Sequence, residues 1–250
     1  MQCRRIADYS FEFAPRTVYV WPVHTVASID VAAEFERVLT PDERDRVARF
    51  RFDHLRHSFV LARGSLRILL GRYLSVSPAI IRFTHNSKGK PALSAPAYLD
   101  FNASHSGDLA VFAFTTGLEI GVDVEKIRSL TDMQNIASRF FCPEEAEEIM
   151  SLPENQRTRA FFLCWTRKEA YVKAIGEGLS APLNGFSVTV QPNQPARFVH
   201  FAQGANAAMN WTLYDLQLAP EYAAALAYHD VERPVVVFQV TDPVELLSIL

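Results

Sequence analysis

The chain has 250 residues, 49% of them apolar and 21% charged, with a formal net charge of −3, a balance that supports a buried core and excludes intrinsic disorder. No run of about 18 apolar residues occurs and no apolar run follows the polar first residues, which excludes a membrane span and argues against a signal peptide. The three cysteines, Cys3, Cys142 and Cys164, are scattered rather than set at metal or redox spacing, so no disulfide framework is expected and the cytoplasm is the default location.

Residues 17–23 read as a short strand. A helix is expected to begin at Thr40, followed by Pro41, Asp42 and Glu43: a capping residue, a proline suited to the first turn, and acids that favour the N-terminal dipole. A second helix spans about residues 54–74, with Phe59, Leu66, Leu69, Leu70 and Tyr73 on its apolar side and Arg56, Arg63 and Arg67 together on the remaining face. Between residues 37 and 72 nine arginines stand against four acids. A local basic region on an acidic protein suits a small anionic ligand better than duplex nucleic acid, which demands a broader basic footprint. A solvated arginine face accounts for the same residues.

Residues 86–91 form a loop by composition. Strands follow at about 98–104, 109–115 and 119–125, broken by Ser106-Gly107-Asp108 and Thr116-Gly117, and are expected to form an antiparallel meander. Residues 132–151 are helical with an interruption around Cys142-Pro143, and residues 156–175 form a strong helix stopped by Gly176. Strand patterns return at 186–190, 197–201, 211–216, 223–228 and 235–240. The order suggests two similar α+β halves joined near residue 117, although the residues themselves show no repeat.

Asp123 and Glu125 lie two apart on a strand and share a face, while Val122 and Val124 turn the other way. Two carboxylates about 4 Å apart repel by about 4 kcal/mol at an effective dielectric of 20, so such a pair either holds a cation or stands in water. Trp165, Glu169 and Lys173 stack at i, i+4 spacing on the strong helix. Glu169 is able to complete an oxygen triad of the kind magnesium takes, with phosphate oxygens filling the remaining positions. An ordinary surface ion pair explains Glu169 and Lys173 equally well. In Phe101-Asn102-Ala103-Ser104-His105-Ser106, adjacent Ser104 and His105 point to opposite faces of a strand, which excludes a serine–histidine nucleophile pair and suits phosphate or nucleotide binding. Gly89-Lys90-Pro91 presents one ammonium on a rigid loop.

Together these four elements resemble the 4′-phosphopantetheinyl transferases, the larger Sfp-like group. The G-K-P loop matches residues 89–91, the F-N-x-S-H-S strand 101–106, the G-[VI]-D-[VI]-E strand 121–125, and the W-[ST]-x-K-E-x-x-x-K-x-x-G-x-G-L helix 165–179. Where family members often place a lysine early in the basic helix this chain has Glu43, so Arg44 or Arg46 would take that part. The resemblance implies an α+β, pseudo-twofold monomer of two similar halves, each a small antiparallel sheet packed with helices, divided as residues 1–116 and 117–250. It implies Mg2+, or Mn2+, held by Asp123, Glu125 and Glu169. Glu169, Lys173 and Asp123 would be catalytic, and Arg46, Arg63, Lys90, Pro91, Ser104, His105 and Lys173 would contact coenzyme A. The expected reaction moves 4′-phosphopantetheine from coenzyme A to a serine of an apo acyl or peptidyl carrier protein and releases 3′,5′-ADP. A magnesium-dependent hydrolase of coenzyme A and a non-catalytic binder are the alternatives; neither nucleic acid nor membrane is an expected partner.

Overall fold

The computed structural model describes residues 2–4, 11–94, 98–178, 181–202, 204, 209–238 and 240–250. Leu179, the last residue of the expected helix–loop motif, and Gln239 in the expected last strand lie outside them.

After a short strand β1 (Gln2–Arg4), one element order occurs twice. The first pass is β2 (Val18–His24), α1 (Ile29–Arg37), α2 (Pro41–Ala48), α3 (Asp53–Leu74), a 3-10 turn at Pro78–Ile80, the hairpin β3 (Phe83–His85) and β4 (Pro91–Leu93), β5 (Leu99–Ser106) and β6 (Leu109–Thr116). The second is β7 (Ile120–Lys126), α4 (Met133–Phe140), α5 (Pro143–Ser151), α6 (Glu154–Ile175), a 3-10 turn at Leu183–Gly185, the hairpin β8 (Phe186–Val188) and β9 (Phe198–Phe201), β10 (Trp211–Asp215) and β11 (Tyr222–His229). The pairing repeats too. β2, β6 and β5 lie side by side antiparallel, as do β7, β11 and β10. The closing strand β12 (Val235–Phe238) returns to the first sheet, parallel to β2 on one side and β1 on the other, and α7 (Val244–Leu247) follows it.

The three expected strands at 98–125 are therefore not a meander. β5 and β6 form a hairpin, but β6 already has β2 along its other edge, so β7 pairs with β11 instead. Also unforeseen were α1 and the β3–β4 hairpin; a three-residue strand leaves too little alternation to read.

Strand alternation sorts the core into layers. Val18 and Val20 of β2, Val111 of β6, Val122 and Val124 of β7 and Leu226 of β11 are fully buried between the sheets. Tyr19, Trp21 and Phe114 face α3 from the opposite side of the first sheet. Ala223, Ala225 and Ala227 face α6 from the second.

Each half also buries one ion pair in the same place. In α2 the Thr40 N–H donates to Glu43 Oε2 at 3.0 Å, and Arg67 of α3 donates to that carboxylate through Nε at 2.6 Å and Nη2 at 3.0 Å. Arg67 also donates to the carbonyls of Pro78 and Ile81. In α5 the Cys142 N–H donates to Glu145 Oε2 at 2.8 Å, and Lys168 of α6 pairs with that oxygen at 2.7 Å and donates to the carbonyls of Leu183 and Phe186. Helix start, long helix and the 3-10 segment are thus tied at one point in each half.

Burial pushes the Glu43 carboxyl upward, but hydrogen bonds from Arg67 and Thr40 and the adjacent Arg63 outweigh it and hold the pKa at about 2, below the ordinary 4.5. A depressed carboxyl pKa contributes stability above its unfolded value, lost as pH falls through the folded one. Between pH 4.5 and 2 the wild-type chain should therefore lose about 3 kcal/mol more stability than Glu43→Gln, read by urea unfolding across that range.

Candidate active site

The halves meet where β5, an edge of the first sheet, runs beside β7, an edge of the second. With Val122 and Val124 turned between the sheets, Asp123 and Glu125 turn toward α6. Gly121 shows how close that helix lies: a Cβ there would sit 2.1 Å from the Ala170 carbonyl oxygen and 2.4 Å from the Ala174 nitrogen. Only glycine fits, because both neighbours are helix backbone. Gly121→Ala should cost about 1–3 kcal/mol by pushing β7 from α6, measurable as a lower thermal midpoint.

Lys173 reaches across this contact. Its Nζ donates to Asp123 Oδ1 at 2.6 Å and to Ser104 Oγ at 2.8 Å, and Ser104 Oγ donates to Asp123 Oδ1 at 2.9 Å. Asp123 Oδ2 is buried with no hydrogen-bond partner among the described residues. Such an orphan carries a desolvation cost and marks a place that a cation would satisfy. Ser106 Oγ donates to Glu125 Oε2 at 2.7 Å. Glu169 lies half-buried on α6, four residues from Lys173.

The electrostatics group the three carboxylates. Burial raises the pKa of each; the negative charge of Asp123 raises Glu125 and Glu169 further, and Glu125 adds to the effect on Glu169, while Lys173 opposes all three. Among the described residues no three His, Cys, Asp or Glu side chains close around a single point. What is present is a set of hard oxygen donors in one another's field with one buried oxygen unpartnered, and that donor chemistry fits Mg2+ or Mn2+.

A second charge cluster adjoins it. Burial lowers the pKa of His105, and the nearby charges of Lys173 and Arg46 lower it further, which places three basic side chains in one neighbourhood. Arg46 stacks over the Phe59 ring at 4.9 Å and has no carboxylate partner among the described residues. The other predicted basic residues are already engaged. Arg63 pairs with Glu43 and lies over the Phe83 ring at 4.1 Å. Lys90 Nζ donates to the Ala174 carbonyl at 2.7 Å and the Ile120 carbonyl at 3.1 Å, with Pro91 beginning β4 beside it. Arg44 donates to the carbonyls of Glu36 and Arg37 and so caps α1, which leaves Arg46 as the open arginine of α2. Lys168, beside Glu169 in the helix motif, is wholly buried with Glu145 and faces away from the carboxylates.

Asn102 was missed by sequence reasoning. Its Oδ1 accepts the Val122 N–H at 2.9 Å, and its i, i+2, i+4 spacing with Ser104 and Ser106 was the available signal.

A family model described as the 4′-phosphopantetheinyl transferase superfamily matches residues 119–227, and one described as 4′-phosphopantetheinyl transferase, N-terminal, matches residues 29–117. The 4′-phosphopantetheinyl transferase HetI of Nostoc sp. is 37% identical over 213 residues, covering 84% of this chain and 86% of that protein. The 4′-phosphopantetheinyl transferase Sfp of Bacillus subtilis is 32% identical over 154 residues, covering 62% of this chain and 67% of its own. The crystal structure of Thermotoga maritima holo-[acyl-carrier-protein] synthase matches with a TM-score of 0.36 and 20% identity, over 46% of this chain and 64% of that one.

Proposed function

The chain belongs to the 4′-phosphopantetheinyl transferase superfamily, and from that premise we propose that it transfers 4′-phosphopantetheine from coenzyme A to a serine of an apo carrier protein. The observation that carries the reading is the meeting of Asp123, Glu125, Glu169 and Lys173 of the second half with His105 and Arg46 of the first. Basic side chains there suit the phosphates of coenzyme A, and the carboxylates suit a divalent ion.

In this reading Asp123, Glu125 and Glu169 would hold Mg2+, or Mn2+ in its place, which would supply positive charge beside the pyrophosphate. Lys173 balances the charge that develops on the transferred phosphoryl group. The serine oxygen bonds to the phosphorus carrying pantetheine, the bond from that phosphorus to the bridging oxygen breaks, 3′,5′-ADP leaves, and Glu169 accepts the serine proton. Ser104, His105 and Arg46 face the nucleotide end. Arg63, Lys90 and Pro91 would add contacts to coenzyme A, those of Arg63 and Lys90 coming on top of the bonds they already form within the protein. The units 1–116 and 117–250 divide the work, the first supplying nucleotide contacts and the second the carboxylates. One chain thus carries every residue invoked, which supports a monomer, and the free buried thiols of Cys142 and Cys164 support a cytoplasmic setting.

Arg46→Ala should raise the Michaelis constant for coenzyme A about tenfold with little change in kcat, since Arg46 binds the nucleotide end in ground state and transition state alike. Chromatographic detection of 3′,5′-ADP tests the function itself. Release that requires both an apo carrier and a divalent ion supports transfer, whereas release without carrier would mean hydrolysis and overturn it.

A further inference from the structure

β5 and β7 are edge strands that share no backbone pairing, yet β7 does not present a bare edge. Val122 N–H donates to Asn102 Oδ1 at 2.9 Å, Val124 N–H to Ser104 Oγ at 3.4 Å, and Lys126 N–H to Ser106 Oγ at 3.1 Å. The Ile120 carbonyl takes Lys90 Nζ. Four side chains of the first half thus stand in for a missing neighbour strand. The spacing is regular because every second β5 residue points to the same face and every second β7 amide points to the same edge.

Two rungs of this ladder do more than fill an edge. Ser104 and Ser106 each accept a backbone N–H of β7 and donate to a carboxylate of the same strand, Asp123 and Glu125 respectively. Asp123 has Lys173 as a second anchor. For Glu125, Ser106 is the sole hydrogen-bond partner among the described residues, and Oε1 has none. Ser106 Oγ therefore fixes one carboxylate oxygen and leaves the other for a cation. Without that hydroxyl the Glu125 side chain would be anchored by nothing but its own rotamer preferences.

We propose that Ser106 is a positioning residue: it holds Glu125 by Oε2, in register with the Lys126 N–H, so that Oε1 is presented beside Asp123 and Glu169 for the divalent ion. This rests on the phosphopantetheinyl-transfer reading of the site and adds to it a residue that touches neither coenzyme A nor carrier. A partner that orients a metal-binding carboxylate typically accounts for about 10- to 100-fold in metal affinity.

The test uses the full chain with coenzyme A and Mn2+ as the probe, free Mn2+ being read by electron paramagnetic resonance. Ser106→Ala should weaken Mn2+ binding about 10- to 100-fold, with the circular dichroism spectrum of the folded chain retained. Ser106→Thr, which keeps the hydroxyl, should bind within a few-fold of wild type. In a Glu125→Ala background Ser106→Ala should add no further loss, because its effect passes through Glu125. Wild-type Mn2+ affinity in Ser106→Ala, failure of threonine to rescue, or a full additional loss in the double variant would each overturn the proposal. Wild-type chain that binds Mn2+ with coenzyme A yet never modifies a carrier would defeat the transfer reading alone and leave the positioning result standing.

Discussion

Asp123→Ala should lower the rate of carrier modification by about 10²–10³-fold while the chain stays folded. Asp123 Oδ1 is the point at which Lys173 and Ser104 converge, and Oδ2 is buried with no hydrogen-bond partner among the described residues. Removing the side chain takes away a cation ligand and also releases Lys173 from its place beside the phosphates. Stability should suffer little, because burial already raises the Asp123 pKa and so disfavours its charged form. The near-isosteric Asp123→Asn should lose similar activity, since it keeps shape and gives up charge. Rates come from mass spectra of a carrier over time, and folding from circular dichroism. Activity within tenfold of wild type in both variants would remove Asp123 from the site.

Lys168→Met should destabilise the protein by about 3–5 kcal/mol without bearing on the chemistry. Lys168 and Glu145 are both almost completely inaccessible to solvent, 2.7 Å apart. Removal of the lysine leaves a buried carboxylate with the Cys142 and Val188 N–H groups donating to it and no cation paired with it among the described residues. The paired change Lys168→Met with Glu145→Gln should recover part of the loss, because the cost lies in the unpaired charge rather than in a missing attraction. Denaturant unfolding of the three variants measures this. A single variant as stable as wild type would show that the pair is not what ties α5, α6 and the turn at Leu183–Gly185 together.

The contrast between these substitutions shows what could be read before the fold was known. The shared face of Asp123 and Glu125 followed from strand alternation and the stacking of Glu169 with Lys173 from helical spacing, while only the family resemblance joined the two pairs in one site. The helix capped at Thr40, the interruption around Cys142-Pro143 and the Gly176 stop were legible from local geometry as well. Long-range partners were not. Strand periodicity says that 120–126 is a strand but not that β11, rather than β6, lies beside it. The internal repeat showed in the order of elements but not in the residues, because its two buried pairs use different chemistry, Glu43 with Arg67 and Glu145 with Lys168, at slightly different spacing. Seen in sequence, Arg63 and Arg67 looked like a basic face for a ligand; packed, Arg67 is core and Arg63 is bound to Glu43. Lys90 was expected on a loop to contact coenzyme A, and its ammonium also donates to carbonyls of β7 and α6. In each case the residue type was right for an anion and the destination was set by an element distant in sequence.

The most direct measurement is the intact mass of an apo carrier protein after incubation with this chain, coenzyme A and Mg2+, followed by fragmentation to locate any added group. The account predicts a gain of one phosphopantetheine on a single carrier serine, abolished by chelating the metal. An unmodified carrier beside coenzyme A that has been consumed, or that remains untouched under all conditions, would contradict it.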